Sequence, residues 1–185
     1  MTSDAAKPPV PLLIISGPIG VGKSTVSSEV SDLLDEQGVA HTFIDLDQLR
    51  YTYPKPVGDR FGTQLGLANL RDVWRNCAAA GSRNLVIASV VEDWDDVENI
   101  ASVIPRAQPI VCQLRASWEV LETRVRRREL GSGLDWHLRR SRELSEILTR
   151  QEAPIDFAMK TDHRALGDIA LDIIQQVPWN CPTSG

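Results

Sequence analysis

Residues 17–25 read GPIGVGKST, and residues 43–50 read FIDLDQLR. The first stretch satisfies G-x-x-x-x-G-K-[ST] through Gly17, Gly22, Lys23 and Ser24. That spacing lets backbone N–H groups curl around phosphate oxygens without interference from side chains. Lys23 is placed to reach the β- and γ-phosphates of a nucleotide, and the Ser24 hydroxyl to ligate Mg²⁺. Gly20, Val21 and Thr25 complete the loop expected to hold the nucleotide. A glycine-rich structural turn has no use for a lysine and a hydroxyl at those two positions.

In the second stretch two carboxylates, Asp45 and Asp47, stand two apart where an apolar run stops, and Arg50 follows. Side chains two apart in a strand share a face, so the acids repel unless a cation lies nearby. Lys23 and Mg²⁺ meet that need if both stretches arrive at the same edge of a sheet, where open α/β folds bind ligands. Moving a γ-phosphoryl group requires a metal to gather charge and a residue to orient the incoming hydroxyl. Asp45, deeper in the strand, is assigned to the metal shell. Asp47 is the candidate base on the acceptor, and Arg50 holds an anionic or polar part of it. The competing reading makes Asp47 a helix cap for residues 48–50 and Asp45 a surface acid.

The elements that must position these groups alternate along the chain. LLIIS (12–16), HTFID (41–45), NLVIASVV (84–91), PIVCQL (109–114) and the weaker DFAMK (156–160) read as strands. Helices are expected over 23–37, ended by Gly38, over 67–80 and over 94–104. A further helix runs from an N-cap at Ser117 to Arg128, and another from a cap at Asp135 to Arg150, with LGSG (130–133) between them. The apolar stripe Leu166, Ile169, Ala170, Ile173, Ile174 and Val177 marks the last helix. Strands alternating with helices predict an α/β fold with a parallel sheet. Residues 51–66 read as an exposed excursion, residues 1–9 and 179–185 as tails, and residues 10–178 as a single domain.

GPIGVGKST followed by FIDLDQLR resembles the small P-loop kinases that phosphorylate metabolite hydroxyls: adenylyl-sulfate, gluconate and shikimate kinases and the chloramphenicol phosphotransferase type. The resemblance implies a three-layer fold with a five-stranded parallel sheet in order 2-3-1-4-5. It also implies Mg²⁺ and ATP as cofactors, an acceptor facing Asp47, and an arginine-bearing lid. Leu46 stands between the aspartates where adenylyl-sulfate and gluconate kinases usually have glycine, and no glycine-rich run follows the third strand. No single enzyme of the group is matched.

Only four basic residues are lysines, and seven arginines crowd into residues 124–142. Arg124 and Arg128, four apart, share one helix face beside LGSG. By the resemblance they are the lid arginines, with Arg128 catalytic and Arg124 on the nucleotide. Arg126, Arg139, Arg140 and Arg142 read as a solvated face. The acceptor pocket is expected within 51–75, where Tyr51, Tyr53, Arg60, Phe61 and Arg71 combine an apolar wall with cationic anchors. Arg50, Tyr53 and Arg60 are the substrate-binding residues expected beside Asp47.

Glu92 and Asp93 read as a charged turn. Trp74, Trp94, Trp118 and Trp136 read as core or lid packing, and the three histidines lack partners at ligand spacing. Cys77 and Cys112 read as small core residues. A net charge of -5 and an arginine block with little aromatic interleaving and plenty of acid argue against nucleic acid. No signal peptide or membrane-length apolar run is evident, so the reading is a cytoplasmic enzyme, monomer or homodimer, with a small-molecule acceptor. Two alternatives remain. One is a nucleotide-dependent switch or ATPase module, disfavoured by the lack of NKxD and of an aspartate directly ending the third strand. The other is a toxin-like kinase acting on a nucleotide sugar.

Overall fold

The two central runs of the chain bury both faces, the runs at the sheet edges stay partly exposed, and each run is followed by a helical stretch. The computed structural model describes residues 8–129, 131–150 and 152–181, so Leu130 of the LGSG break and most of the two expected tails lie outside the described residues. The elements in chain order are β1 (Val10–Ser16), α1 (Lys23–Glu36), β2 (His41–Asp45), α2 (Leu46–Leu49), α3 (Thr63–Ala79) and β3 (Asn84–Ala88). They continue with α4 (Trp94–Ser102), β4 (Ala107–Arg115), α5 (Trp118–Arg128), α6 (Leu134–Ile147), β5 (Phe157–Lys160) and α7 (Leu166–Gln175).

The strands pair in the order β2-β3-β1-β4-β5, and every pairing is parallel. Alternate residues of each strand enter opposite layers. Leu13, Ile15, Val86, Cys112 and Leu114 join α1 and α7 residues such as Val30, Leu34, Ile169 and Ile173. Leu12, Ile14, Leu85, Ile87 and Val111 join Leu67, Leu70, Trp74, Val97 and Ile100 from α3 and α4. The result is three layers, with the central strand β1 fully enclosed from Leu12 to Ile15.

Several boundaries differ from the sequence expectation, each for a local reason. β3 ends at Ala88 rather than residue 91, because the Val91 N–H turns to donate to Ser16 Oγ at 3.1 Å. α3 begins at Thr63, four residues earlier than expected, because Asp59 accepts from the Thr63 and Leu65 N–H groups at 2.7 and 3.1 Å and closes its first turn. Asp135 does not cap α6; Gly133 holds the cap position and no side chain caps it. Beyond α7, Trp179 donates its ring N–H to Ile174 O at 2.9 Å. The buried Asn84 donates to Asn180 O at 3.0 Å and accepts the Asn180 N–H at 2.8 Å, so the chain is fastened there to the sheet. None of the described helices is long and apolar enough to cross a membrane.

Candidate active site

Because β1, β2 and β3 are parallel neighbours, their carboxyl ends deliver successive loops to one edge of the sheet. β1 ends at Ser16, and the loop from Gly17 leads directly into α1 at Lys23. Gly22 caps α1 with φ 104, a left-handed conformation that glycine adopts without a steric cost and that turns the helix start toward the cleft. Lys23 Nζ donates to Gly17 O at 2.9 Å and Pro18 O at 3.2 Å. Burial pushes its ammonium down to about 8, against the opposing fields of Asp47 and Asp45, with Arg128 adding to the depression.

β2 ends at Asp45, which serves α2 and the phosphate loop together. One carboxylate oxygen accepts the Asp47 N–H at 3.1 Å, capping α2, and the other accepts the Ser24 hydroxyl at 2.5 Å. The helix cap in this stretch is therefore Asp45 rather than Asp47. Asp47 is left with one ion pair, to Arg50 at 3.8 Å. The Ser24 hydroxyl and Asp45 carboxylate are hard oxygen donors at a helix N-terminus. That suits Mg²⁺, which takes one or two protein ligands and fills its shell with water and phosphate. Among the described residues no cluster of three or more histidine, cysteine or acidic side chains forms a metal site.

A cleft of about 790 Å³ opens over this edge. It is lined by Gly20, Gly22, Lys23, Ser24 and Thr25, by Asp47, Arg50, Arg60 and Phe61, and by Arg128 with residues of α6. The structure thus brings Lys23, Ser24, Asp47, Arg50, Arg60 and Arg128 together around one space, with Asp45 behind Ser24. Tyr53 stands apart: it is 95% exposed and does not line the cleft. Arg124 also lies off the cleft. Its guanidinium donates to Val21 O at 3.1 Å, to Thr161 Oγ1 at 3.0 Å and to Thr161 O at 3.2 Å. It braces the phosphate loop against the segment after β5.

Several cleft residues were not assigned chemistry from sequence. Glu92, read as part of a surface turn, forms a partly buried ion pair with Arg140, which also pairs with Glu143 at 2.9 Å. Arg140, read as solvated, therefore ties α6 to the exit of β3, while Asp93 caps α4 by accepting the Asp96 N–H at 2.9 Å. His137 lines the cleft with Nδ1 2.9 Å from Gly133 O, beside the half-exposed Trp136. His137, Arg140 and Leu144 recur at helical spacing, and that periodicity was the signal available for them. Of the other tryptophans, Trp74 is core, Trp94 is exposed and Trp118 lies under the Arg142 guanidinium at 4.7 Å.

No family model matches the chain, and no curated protein matches it in sequence. Solved structures do match in fold. Shikimate kinase from Acinetobacter baumannii in complex with shikimate aligns with a TM-score of 0.56 at 20% identity, covering 90% of this chain and 92% of that one. APS kinase from Mycobacterium tuberculosis in complex with AMPPNP and APS aligns at 0.59 and 19%, covering 91% and 98%. The tunicamycin resistance protein of Deinococcus radiodurans aligns at 0.59 and 17%, covering 94% and 99%. The shared feature is the fold of P-loop small-metabolite kinases, and no one of them is singled out.

Proposed function

We propose that this chain is an ATP-dependent kinase that transfers the γ-phosphoryl group to a hydroxyl of a small molecule. The observation that carries the reading is the meeting of Lys23, the Ser24–Asp45 pair, Asp47 and Arg128 around a single cleft. Each supplies a distinct requirement of phosphoryl transfer, and no other cleft described in the molecule joins them.

In this reading the loop N–H groups from Gly17 to Thr25 hold the β- and γ-phosphates, and Arg124 contributes by fixing the Val21 carbonyl. Lys23 leaves its loop carbonyls for the phosphate oxygens and stabilises charge on the group in transfer. Ser24 and Asp45 would hold Mg²⁺, which would neutralise charge on the phosphate oxygens of the nucleotide. Asp47 sits two residues beyond Asp45, exposed to the cleft, and accepts the proton of the acceptor hydroxyl. Arg50 and Arg60 hold the acceptor, and Tyr53 can reach it only by movement of its exposed loop. Arg128 covers the transferring group from the far wall, where exclusion of water keeps the phosphoryl group from hydrolysis.

The test incubates the protein with Mg²⁺, γ-¹⁸O-labelled ATP and a small-molecule cell extract, beside an Asp47→Asn control. A labelled phosphate ester in the mass spectrum that falls by about 10²–10⁴-fold in the control is expected. Label that stays in ATP, or appears only as free phosphate equally in both proteins, would reject the kinase and favour a nucleotide-binding module.

A further inference from the structure

A phosphate loop binds oxyanions only when its N–H groups point at the ligand and its carbonyls point elsewhere. In this loop the carbonyls are held by side chains. Gly17 O and Pro18 O accept from Lys23 Nζ at 2.9 and 3.2 Å, and Val21 O accepts from Arg124 at 3.1 Å. Ile19 O accepts the Ser141 hydroxyl of α6 at 2.7 Å, across 122 positions of the chain. In the proposed reaction Lys23 leaves its carbonyls for phosphate. The anchors that stay are then Arg124 on α5 and Ser141 on α6.

Ser141 works from behind the site. It is fully buried and does not line the cleft, so its oxygen meets no ligand and acts only through the loop. Ile19 and Gly20 do line the cleft. In a planar trans peptide the C=O and N–H point in opposite directions, so a carbonyl drawn onto Ser141 turns the Gly20 N–H away from that helix. Gly20 is also pressed against α5. Its φ is 87, and a Cβ there would stand 2.7 Å from Val125 Cγ2, so only glycine fits. The 19–20 peptide is therefore gripped by both helices. α6 is seated to make this bond: Arg140, next to Ser141, pairs with Glu92 at the exit of β3, and Leu144 is buried one turn on. One turn of α6 thus fixes the loops that follow β1 and β3 together.

We propose that Ser141 is a positioning residue of the phosphate site: by holding the Ile19 carbonyl it presents the Gly20 N–H to a phosphate oxygen, and so ties phosphate affinity to the seating of α6. The identity of the ligand rests on the kinase reading, whereas the preset of the loop rests on the Ser141 bond itself.

Ser141→Ala removes one oxygen and installs a better helix former, so the fold is kept. Ser145→Ala is the control: it lies on the same helix, and its hydroxyl donates within α6, to Ser141 O at 2.9 Å. Calorimetric titration with Mg²⁺–AMPPNP should show about tenfold weaker binding to Ser141→Ala, the fold-change of one hydrogen bond to a charged group, and unchanged binding to Ser145→Ala. Adenosine, which carries no phosphate, should give the same saturation-transfer NMR response with wild type and Ser141→Ala. In the nucleotide-free protein the ¹⁵N–¹H resonance of Gly20 should move in Ser141→Ala and stay in place in Ser145→Ala. An AMPPNP affinity of Ser141→Ala within about twofold of wild type overturns the inference. So does an equal loss for adenosine, or an equal loss in Ser145→Ala, because a purely structural hydroxyl would not single out phosphate. Failure of wild-type protein to bind AMPPNP counts against the kinase reading alone. The Gly20 resonance then decides the role of Ser141: a shift supports it, and an unmoved resonance overturns it.

Discussion

Replacing Arg124 with alanine separates two roles that the sequence could not tell apart. As a lid arginine acting on ATP it would leave the nucleotide-free protein unchanged. As a brace it would be felt before any nucleotide is bound. The structure gives it three hydrogen bonds, to Val21 O, Thr161 Oγ1 and Thr161 O, and Thr161 is buried at 3% exposure. Taking about 1 kcal/mol net for each bond lost, the alanine variant should be destabilised by about 3 kcal/mol. The fallback contact from Thr161 Oγ1 to Val21 O is long, at 3.5 Å, and recovers little. In a chain of this size that corresponds to a fall in Tm of about 6–12 °C. Lysine, a point charge on a flexible stem, should recover about one of the three bonds. Urea denaturation and thermal melts without nucleotide measure the loss, and calorimetric titration with ATP measures the affinity. A nucleotide-free stability within about 0.5 kcal/mol of wild type, together with a large loss of ATP affinity, would refute the brace and restore the direct contact.

Two further outcomes follow from the same packing. Asp162, in the loop after β5, accepts the Ser117 N–H at 2.8 Å, and that bond holds its carboxyl below the usual carboxylate range. Because the folded pKa is the lower one, its contribution is present above the ordinary carboxylate pKa and is lost as pH falls through the folded value. Asp162→Ala should therefore cost about 1 kcal/mol near neutral pH, with the gap from wild type closing below about pH 4; a gap that persists in acid would show that the bond is not its source. Cys112 is fully buried and burial pushes its thiol well up, whereas Cys181 is exposed. Iodoacetamide at about pH 8 should label Cys181 in the native protein and Cys112 only after unfolding, read by peptide mass spectrometry. Comparable rates at the two sites would contradict the packing around β4.

The α/β class and most helix boundaries were legible because they depend on periodicity within a few residues. LLIIS has no polar position to expose, and Val26, Val30 and Leu34 recur at helical spacing on α1. The phosphate loop and the two aspartates were legible for a related reason: their geometry is set by covalent spacing at the end of a strand. Sheet order 2-3-1-4-5 was expected from family resemblance, and the observed pairing agrees with it. Where the sequence misled, a side chain outside the periodic run had intervened. Ser16 drew Val91 out of β3, and Asp59 started α3 early.

The arginine block shows the limit most clearly. Arg124, Arg128 and Arg140 have the same side chain within 17 positions, and nothing local distinguishes their surroundings. Their roles diverge because of partners far away in the chain. Arg124 is claimed by Val21 and Thr161, and Arg140 by Glu92. Arg128, whose ion-pair partner Glu129 is its own neighbour, keeps its guanidinium on the cleft. A guanidinium fully supplied with acceptors is structural, whereas an exposed one such as Arg128 can exchange its neighbouring carboxylate for a phosphate at small cost. Cations fixed by the fold and cations left for ligands are thus distinguished by which charges the fold has already neutralised, a quantity set by tertiary contacts and absent from any local motif.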